Sequence, residues 1–357
     1  MDKNSKPPVN MIVKRHGNHA SVSGYDRISD YIPSCVFRKP RELTLAQRSL
    51  TRVLRRWSGG KGSQWYGRQD FLSEMAVAKQ WLKRSGQIFH FVYGENSYRY
   101  TGQLKRLRAN HIVATYHAPP KRFREVVSDR RHMQYLDAAI IVSRVLHDCL
   151  AEEIGPERVH FIPHGVDTDF FVPSLHAAGH SAFKCLFVGT HLRDFELLAE
   201  VARHFHQSGD DLTLEVISHK GASRFFAGLE NVTLRYRISD EALRSAYQEA
   251  DLLVMPMKDA TANNSLLEAM ACGLPMVVTD LPGVRDYVDK RCASLIESGN
   301  ARAFVEAVKG LRKNGAIREA HAIQARKQAV HFSFEKVSAM TEAMYRSVAA
   351  SEPAGSR

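Results

Sequence analysis

The stretch from residue 251 to residue 288 constrains the fold of this chain more than any other part of the sequence. An apolar run, Asp251 to Pro256, predicts a buried parallel strand, and a polar loop from Met257 to Asn264 follows it. A short helix is expected from about Ser265 to Cys272, because a glycine and a proline stop it before a second apolar strand, Met276 to Thr279. This succession of elements is typical of a parallel sheet in an α/β domain.

The loop and helix of this stretch predict a site for an anion. Asn264 or Ser265 is suited to cap the helix, which leaves backbone N–H groups and a positive dipole end facing the loop. Such a terminus at the carboxyl edge of parallel strands binds phosphate groups. Glu268 lies one turn inside the helix, where it can accept hydrogen bonds from a ribose diol while the terminus holds a diphosphate. The alternative is an ordinary strand, loop and helix with a surface glutamate.

The same residues resemble the donor-binding core of the retaining GT-B glycosyltransferases of family 4, the glycosyl transferases group 1. That family has two glutamates separated by seven residues, then an alanine-rich helix, a glycine, a proline and a valine-rich strand. Glu268 and its surroundings match the second glutamate, whereas the position of the first glutamate holds Ala260. Asp259, or the pair Asn263 and Asn264, is expected to take its place at the donor sugar.

The resemblance implies an α/β protein with the GT-B fold, in which two Rossmann-like doubly wound domains face a cleft and the C-terminal helix crosses back to the first domain. Strand patterns that are each followed by a loop or a helical pattern occur in both halves of the chain. The expected parts are an acceptor-side domain at 1–171, a linker at 172–182, a nucleotide-sugar domain at 183–333, a crossover helix at 334–350 and a disordered tail at 351–357.

Three further loops resemble donor-contacting segments of the family, each after a predicted strand. In the family, the histidine that matches His117 contacts the donor sugar near the reacting carbon. The loop that ends at Gly24 resembles one whose backbone N–H groups meet the diphosphate, helped by the dipole of a helix that begins at Tyr25. Gly189 and Arg193 lie in the loop that opens the second half, where Arg193 is expected to bind the diphosphate in a bidentate manner. Pairing of Arg193 with a neighbouring carboxylate is the alternative.

The turn around Arg237 resembles the segment whose main-chain groups read the nucleobase. With it, the residues expected to bind the donor nucleotide are Gly24, Gly189, Arg193, Tyr236, Arg237, Ile238, Asn263, Asn264, Ser265, Leu266 and Glu268. The expected catalytic residues are His117, Arg193 and Glu268, and the expected sugar contacts are Asp259 and His117. Asp167 and Asp169 resemble a metal-binding pair, but they follow a strand-to-linker turn without a further carboxylate cluster. No metal ion and no cofactor are therefore expected.

The resemblance implies that a hexose moves from a nucleoside diphosphate sugar, a UDP- or GDP-sugar, to an acceptor hydroxyl with retention of configuration. The expected acceptor is a lipid-linked or surface polysaccharide or a glycolipid precursor. Two alternatives stay open, a nucleotide-sugar epimerase and a non-catalytic polyanion-binding protein on the same scaffold. An epimerase needs acid and base carboxylates that the sequence does not identify. Proteins that bind single-stranded nucleic acid alternate basic residues with aromatic residues that stack on the bases. The sequence lacks this pattern, so nucleic acid is not an expected partner.

The net positive charge of the chain lies in its first half. Residues 1–170 contain 28 Lys and Arg against 16 Asp and Glu, whereas residues 171–357 contain 22 of each, and the whole chain carries +12. The basic positions form runs: Arg52, Arg55, Arg56 and Lys61; Lys83 and Arg84; Lys105, Arg106 and Arg108; Lys121, Arg122 and Arg124. This asymmetry predicts that the first half meets an anionic membrane surface, and a solvated basic face is the alternative.

The remaining composition indicates a soluble protein of the reducing cytoplasm. No apolar run approaches the roughly 18 residues of a membrane span, and the N-terminus lacks the apolar centre of a secretory signal. The five cysteines are scattered without paired spacing, which predicts neither a zinc site nor disulfides. The expected location is the cytoplasm, with peripheral binding at the inner face of the cell membrane as the further expectation.

Overall fold

Parallel strands that alternate with helices build two α/β units, which confirms the predicted pair of doubly wound domains. The structure, a computed structural model, describes residues 7–14, 22–38, 65–174, 182–209 and 211–355. The first unit comprises the described residues up to His164, except Val22 and Ser23, together with the C-terminal residues from Glu335. The second unit comprises Val22, Ser23 and Gly165–Phe334.

The sheet of the first unit has the strand order β2-β1-β3-β4-β5-β6, and its strands pair in parallel. The strands are β1 (Val9–Val13), β2 (Cys35–Arg38), β3 (Ile88–Phe91), β4 (His111–Tyr116), β5 (Ala138–Ile141) and β6 (Val159–Phe161). The α-helices that follow them are α1 (Arg68–Trp81), α2 (Pro120–Val126) and α3 (His147–Ile154). β3 and β4 are buried along their whole length, as parallel strands covered on both faces must be.

The sheet of the second unit has the strand order β12-β11-β10-β7-β8-β9, again parallel. The strands are β7 (Phe183–Val188), β8 (Leu212–Ile217), β9 (Val232–Arg235), β10 (Leu252–Met255), β11 (Met276–Thr279) and β12 (Ala293–Ile296). The helices are α4 (Phe195–Gln207), α5 (Asp240–Glu249), α6 (Asn264–Ala271), α7 (Pro282–Arg285), α8 (Ala301–Lys313), α9 (Gly315–His331) and α10 (Phe334–Ala349), of which α10 lies in the first unit from Glu335 onward.

Local capping explains why the helices of the second unit begin where they do. Asp194, Ser239 and Asn300 stand before α4, α5 and α8, and the side chain of each accepts a backbone N–H of the first helical turn. These are the residue types that the orphan N–H groups of a helix start require. The crossover helix expected at 334–350 is α10 (Phe334–Ala349), and the grouping of α10 with the first unit from Glu335 onward confirms the predicted crossover.

Each sheet has one point at which the strand order reverses. In the first sheet it lies between β1 and β3, and in the second it lies between β7 and β10. In open parallel sheets, ligands bind beyond the carboxyl ends of the strands at such a point. The loops that follow β3, β7 and β10 are therefore the places where a functional site is expected.

Three expectations about the chain's organisation differ from the structure. Residues 165–171, expected at the end of the first domain, group with the second unit, where Phe171 is fully buried and contacts the ring of Tyr247. The strands β2 and β12 were not predicted, because both are short edge strands with mostly half-exposed side chains and so lack an apolar pattern. The helix expected from Tyr25 is a six-residue 3-10 helix that ends at Asp30.

The tail that was expected to be disordered is bonded to the first unit up to its last described residues. The N–H of Ala354 donates to Asp137 Oδ1 (2.6 Å), and Lys105 Nζ donates to the carbonyl of Ala354 (2.9 Å). Lys105 also forms an ion pair with Asp137 (2.5 Å), and both side chains are at most 2% exposed. Lys105 is therefore a core residue and does not belong to the basic surface on which the charge pattern placed it.

Candidate functional site

The N-terminus of α6 lies beside the reversal point of the second sheet. Its cap is Asn263, one residue before the predicted cap, because Asn263 has extended backbone angles and its Oδ1 accepts the N–H of Leu266 (3.2 Å). The N–H of Leu267 donates to the carbonyl of Asn263 (3.1 Å). Within the part of the chain that the structure describes, this leaves the N–H groups of Asn264 and Ser265 available for a ligand at the positive end of the helix.

The guanidinium of Arg193 lies over this helix terminus. Nη2 donates to Asn263 Oδ1 (3.0 Å) and Ser265 Oγ (3.3 Å), while Nε donates to the carbonyl of Val188 (3.0 Å) and Nη1 to that of His191 (3.1 Å). Four of its five N–H donors thus face neutral oxygens of the protein. In this geometry Arg193 supplies its positive charge to the site, whereas the expected bidentate contact with a diphosphate requires it to exchange partners. The two neighbouring carboxylates of the alternative pairing have other roles, since Asp194 caps α4 and Glu196 forms an ion pair with Lys258.

Glycine at position 189 makes room for this arrangement. Gly189 has a φ of 111°, and a Cβ there would lie 2.5 Å from Arg193 Nη2. The loop is also tied to the loop after β10, since Asp194 N–H donates to the carbonyl of Pro256 (3.1 Å) and Lys258 N–H to that of Leu192 (2.9 Å). The two loops at the reversal point are therefore hydrogen-bonded to each other beside the N-terminus of α6.

Backbone strain is concentrated in the loops predicted to bind the nucleotide. Among the described residues, Leu192 (φ 57°) and Arg237 (φ 53°) are the non-glycine residues with positive φ. Leu192 precedes Arg193, and Arg237 lies in the turn that resembles the base-recognition segment, where Tyr236 is 50% exposed. A non-glycine residue in this region costs about 1–3 kcal/mol and tends to occur at functional sites. The strained residues therefore lie in two of the loops that the sequence predicted to bind the donor nucleotide.

Glu268 is buried in α6 and held by protein hydroxyl groups. It is 3% exposed, Tyr247 OH donates to its Oε2 (2.8 Å), and Ser23 also hydrogen-bonds to it. Burial raises the pKa of the Glu268 carboxyl, although the hydrogen bonds from Ser23 and Tyr247 oppose this. The alternative of a surface glutamate is therefore excluded.

The loop at the predicted sugar end is closely packed. Ala260, at the position of the family's first glutamate, is 6% exposed, and a Cβ at Gly283 would lie only 2.1 Å from its carbonyl oxygen. Asp259 Oδ1 accepts the N–H of Ala260 (2.8 Å). The Asp259 carboxylate thus shapes its own loop, and the backbone of this loop leaves no space for a side chain at Gly283.

His117 lies in the first unit at the end of β4, as the sequence predicted. Its Nε2 is 2.7 Å from the carbonyl of Val92, and its ring stacks on Tyr25 with centroids 3.8 Å apart. Gly24 precedes the short 3-10 helix and has a φ of 117°. That helix has too few aligned peptides to give a strong dipole, and the buried carboxylate of Asp26 stands in its first turn. The predicted phosphate contact at Gly24 therefore depends on the backbone alone.

The structure gives Asp167 a role in a turn. Its Oδ1 accepts the N–H groups of Asp169 (3.1 Å) and Phe170 (2.8 Å). Over the described ranges, no group of three or more His, Cys, Asp or Glu side chains is arranged to hold a metal ion. Within the same ranges, no helix has the length and apolarity that spanning a bilayer requires.

Sequence reasoning did not identify the groups that hold the predicted site residues. Tyr247 and Ser23 contact Glu268, and Glu95 accepts the N–H groups of His117 and Ala118. Tyr247 reads as an apolar position of an amphipathic helix, and Glu95 follows a glycine in a loop, so neither gives a local signal. Their contacts lie about 20 or more residues away along the chain.

Comparison with known proteins supports the reading of the fold and of the second unit. Residues 182–314 match the family model for glycosyl transferases group 1. A D-inositol 3-phosphate glycosyltransferase of Paenarthrobacter aurescens is 28% identical over 211 residues, which are 53% of this chain and 52% of that protein. A phosphatidyl-myo-inositol mannosyltransferase of Mycobacterium leprae is 24% identical over 263 residues, 69% of this chain and 70% of that protein.

The solved structures extend the likeness of the fold to almost the whole chain. A sucrose-phosphate synthase from Thermosynechococcus elongatus superposes with a TM-score of 0.69 at 16% identity, covering 97% of this chain and all of that one. The chain spans about half the length of the first of the two curated relatives. The family model thus matches part of the second unit, and along almost its whole length the chain has the GT-B fold.

Proposed function

We propose that this protein is a retaining glycosyltransferase that moves a hexose from a UDP- or GDP-sugar to an acceptor hydroxyl. The observation that carries the proposal is the placement of Arg193 over the capped terminus of α6, with Glu268 one turn inside that helix. Available N–H groups, a fixed cation and a buried carboxyl near them offer partners for a diphosphate and for a ribose. The match of residues 182–314 to the family model for glycosyl transferases group 1 supports the same reading.

The main requirement of the proposed sugar transfer is positive charge near the departing diphosphate. Arg193 and the N–H groups of Asn264 and Ser265 stabilise the departing phosphate, which is the group on which negative charge develops. That phosphate can itself accept the proton of the acceptor hydroxyl, so the proposal requires neither a dedicated base nor a metal ion. The turn at Tyr236, Arg237 and Ile238 is assigned to the base. As the resemblance implies, His117 is assigned to the donor sugar near its reacting carbon, together with Asp259 at the sugar end.

We further propose that the acceptor is lipid-linked and that the first unit binds an anionic membrane surface. The name of one relative supports a lipid acceptor, because that protein acts on phosphatidyl-myo-inositol. Peripheral binding at the inner face of the cell membrane would place the protein in the cytoplasm. The positions Arg52, Arg55, Arg56 and Lys61, expected to take part, lie outside the described residues.

A described surface of the first unit has the composition that such binding needs. Two exposed segments, 82–86 and 106–109, are joined by a hydrogen bond from Gly86 N–H to the carbonyl of Ala109 (2.8 Å). They carry two exposed leucines, Leu82 (46% exposed) and Leu107 (66%). The same two segments carry four exposed cations next to the leucines in sequence: Lys83, Arg84, Arg106 and Arg108. Each cation near anionic lipid contributes about 1 kcal/mol, and the leucines add apolar contact.

The donor proposal is tested by thermal unfolding with UDP-glucose, GDP-mannose, ADP-glucose and TDP-glucose. A ligand that binds only the folded state stabilises it by mass action and so raises the melting temperature. At a ligand concentration of 100 times the dissociation constant, the free energy of unfolding rises by about 2.7 kcal/mol. We expect one nucleotide sugar to shift the parent and to shift an Arg193→Met variant much less. If no nucleotide sugar acts while a polyanion such as heparin does, the non-catalytic alternative replaces the proposal. Interconversion of the bound sugar without an acceptor would instead identify an epimerase.

The membrane proposal is tested by sedimentation with phosphatidylglycerol vesicles and with neutral phosphatidylcholine vesicles. Glutamine at the four surface cations should abolish binding to the anionic vesicles at low salt, and binding by the parent should fall as salt screens the charges. A matched control replaces four exposed cations of the second unit: Lys220, Arg302, Lys313 and Lys327. Equal losses in both variants, or no binding by the parent, would reject this surface.

A further inference from the structure

The loop that follows β3 encloses His117 from several directions, all within the first unit. Gly94 N–H donates to the carbonyl of Thr115 (2.7 Å), and a Cβ at Gly94 would lie 2.8 Å from the ring of Tyr116. The carbonyl of Val92 contacts His117 Nε2 (2.7 Å), and the ring of Tyr93 meets the imidazole edge-on at 5.0 Å. The backbone of this loop thus packs closely against the end of β4 and against His117.

Glu95 is the residue of this loop that holds the backbone of the histidine. Its Oε1 accepts the N–H of His117 (2.5 Å) and the N–H of Ala118 (2.8 Å), and Glu95 is 3% exposed. Both N–H groups lie beyond the last residue of β4, where the ladder with β3 has ended. A buried N–H without an acceptor costs about 1–3 kcal/mol, so this one oxygen determines how two successive peptides are oriented.

The orientation of the backbone decides which way the imidazole faces. A carbonyl oxygen only accepts, so Nε2 of His117 carries a proton and donates to Val92. In the neutral ring, Nδ1 is then the acceptor nitrogen. Stacking on Tyr25 fixes the plane of the ring. If the peptides at positions 117 and 118 turned, the ring would lose both the hydrogen bond to Val92 and the stacking contact.

We propose that Glu95 is a positioning residue, which orients His117 by accepting the N–H groups of His117 and Ala118 and so fixes the imidazole as the Nε2-protonated tautomer. The consequence for turnover rests on the proposed function, in which His117 contacts the donor sugar. The orientation of the ring does not depend on that function and can be measured in the free protein.

A second buried carboxyl of the same unit provides a matched control. Glu74 Oε1 accepts the N–H groups of Arg99 (2.9 Å), Tyr100 (2.8 Å) and Thr101 (2.8 Å), and Glu74 is 4% exposed. Its removal also leaves buried N–H groups without an acceptor, but at a different loop. Glu95→Ala and Glu74→Ala should both lower the unfolding midpoint, whereas the first alone should disturb His117.

The readout is the long-range ¹H–¹⁵N spectrum of the full chain labelled with ¹⁵N-histidine, in which a His117→Gln variant identifies the His117 signals. We expect the parent and Glu74→Ala to show the Nε2-protonated pattern, and Glu95→Ala to show signals averaged between tautomers. Glu95→Gln keeps an acceptor oxygen at the same place and should keep the parent pattern. Should Glu95→Ala fail to fold, Glu95→Asp withdraws the carboxyl by one methylene and should show the same averaging.

Turnover provides the second readout. Hydrolysis of whichever nucleotide sugar gives the largest thermal shift should show kcat lowered about 10- to 100-fold in Glu95→Ala, with KM nearly unchanged and with recovery in Glu95→Gln. Unchanged His117 signals in Glu95→Ala, or equal changes in Glu74→Ala, would overturn the proposal. If the His117 signals respond as expected but no nucleotide sugar shifts the thermal unfolding of the parent, the positioning role stands and the proposed function fails.

Discussion

Replacing Glu268 with glutamine should make the protein more stable at neutral pH and weaker in nucleotide binding. Burial raises the pKa of this carboxyl, so the folded state carries an energetic penalty for the ionised form. Each unit of pKa shift corresponds to about 1.4 kcal/mol. Glutamine removes the charge and keeps an oxygen that can accept from Tyr247 and Ser23. Two hydrogen bonds from the ribose lose their charged acceptor, which is worth about 1 kcal/mol each, so we expect about 2 kcal/mol of lost affinity.

The sign of the pH dependence follows from the same shift. Because the folded pKa of Glu268 is raised above the unfolded value of about 4.3, the folded state binds more protons between the two values. The parent is therefore most stable relative to Glu268→Gln below about pH 4, and it loses that advantage as the pH rises through the interval. Urea unfolding of both proteins at a series of pH values measures this difference directly.

Tyr247→Phe separates the structural role of this pair from its binding role. The variant removes a hydroxyl that donates over 2.8 Å to the buried carboxyl, and hydrogen bonds to charged groups contribute about 1.5–3 kcal/mol. We expect it to be destabilised by that amount. Calorimetry with UDP and GDP then measures affinity for all variants. If Glu268→Gln is less stable than the parent at pH 7 and binds the nucleotide equally well, Glu268 only holds Tyr247 and does not bind the ribose.

Three other changes probe the two units and the chemistry. Asp137→Asn leaves Lys105 buried without its partner and should cost about 3–5 kcal/mol in urea unfolding. Burial alone would raise the pKa of Asp137, but its hydrogen bonds lower it, so this cost is complete above about pH 4 and fades as the pH falls through the folded value. Gly283→Ala should displace the carbonyl of Ala260 and abolish the nucleotide-sugar thermal shift, with about 1–3 kcal/mol of lost stability. Transfer activity should survive EDTA, and rescue by Mn²⁺ after a complete loss would contradict the metal-free proposal.

Local sequence patterns were sufficient to predict the strands and the helix between residues 251 and 279 of the second unit. The predicted bounds of β11 agree with the observed ones, and those of α6 agree to within one residue at each end. Its N-terminus beside a strand end was predicted as well, since a capping residue, an apolar run and a glycine stop are all local signals. The position of His117 at the end of β4 followed from the same kind of pattern.

Long-range packing determined the edge strands and the burial of Lys105, which local sequence patterns do not reveal. The edge strands β2 and β12 lack an apolar pattern because solvent covers part of each, and their pairing depends on a neighbouring strand. Lys105 reads as one of a run of surface cations, yet it is buried against Asp137 and the C-terminal segment.

The groups that hold the candidate site were likewise decided by the tertiary structure. Tyr247 and Glu268 are 21 residues apart, and Glu95 and His117 are 22 residues apart. Burial turns these polar side chains toward whichever donor or acceptor the fold brings near, since an unsatisfied buried group is costly. The sequence by itself determined the central strands, the start of α6 and the residue types at the strand ends, because these depend on neighbours within one turn or one strand. Which distant side chain satisfies each of them depends on the packing of the whole unit, and so only the tertiary structure could decide it.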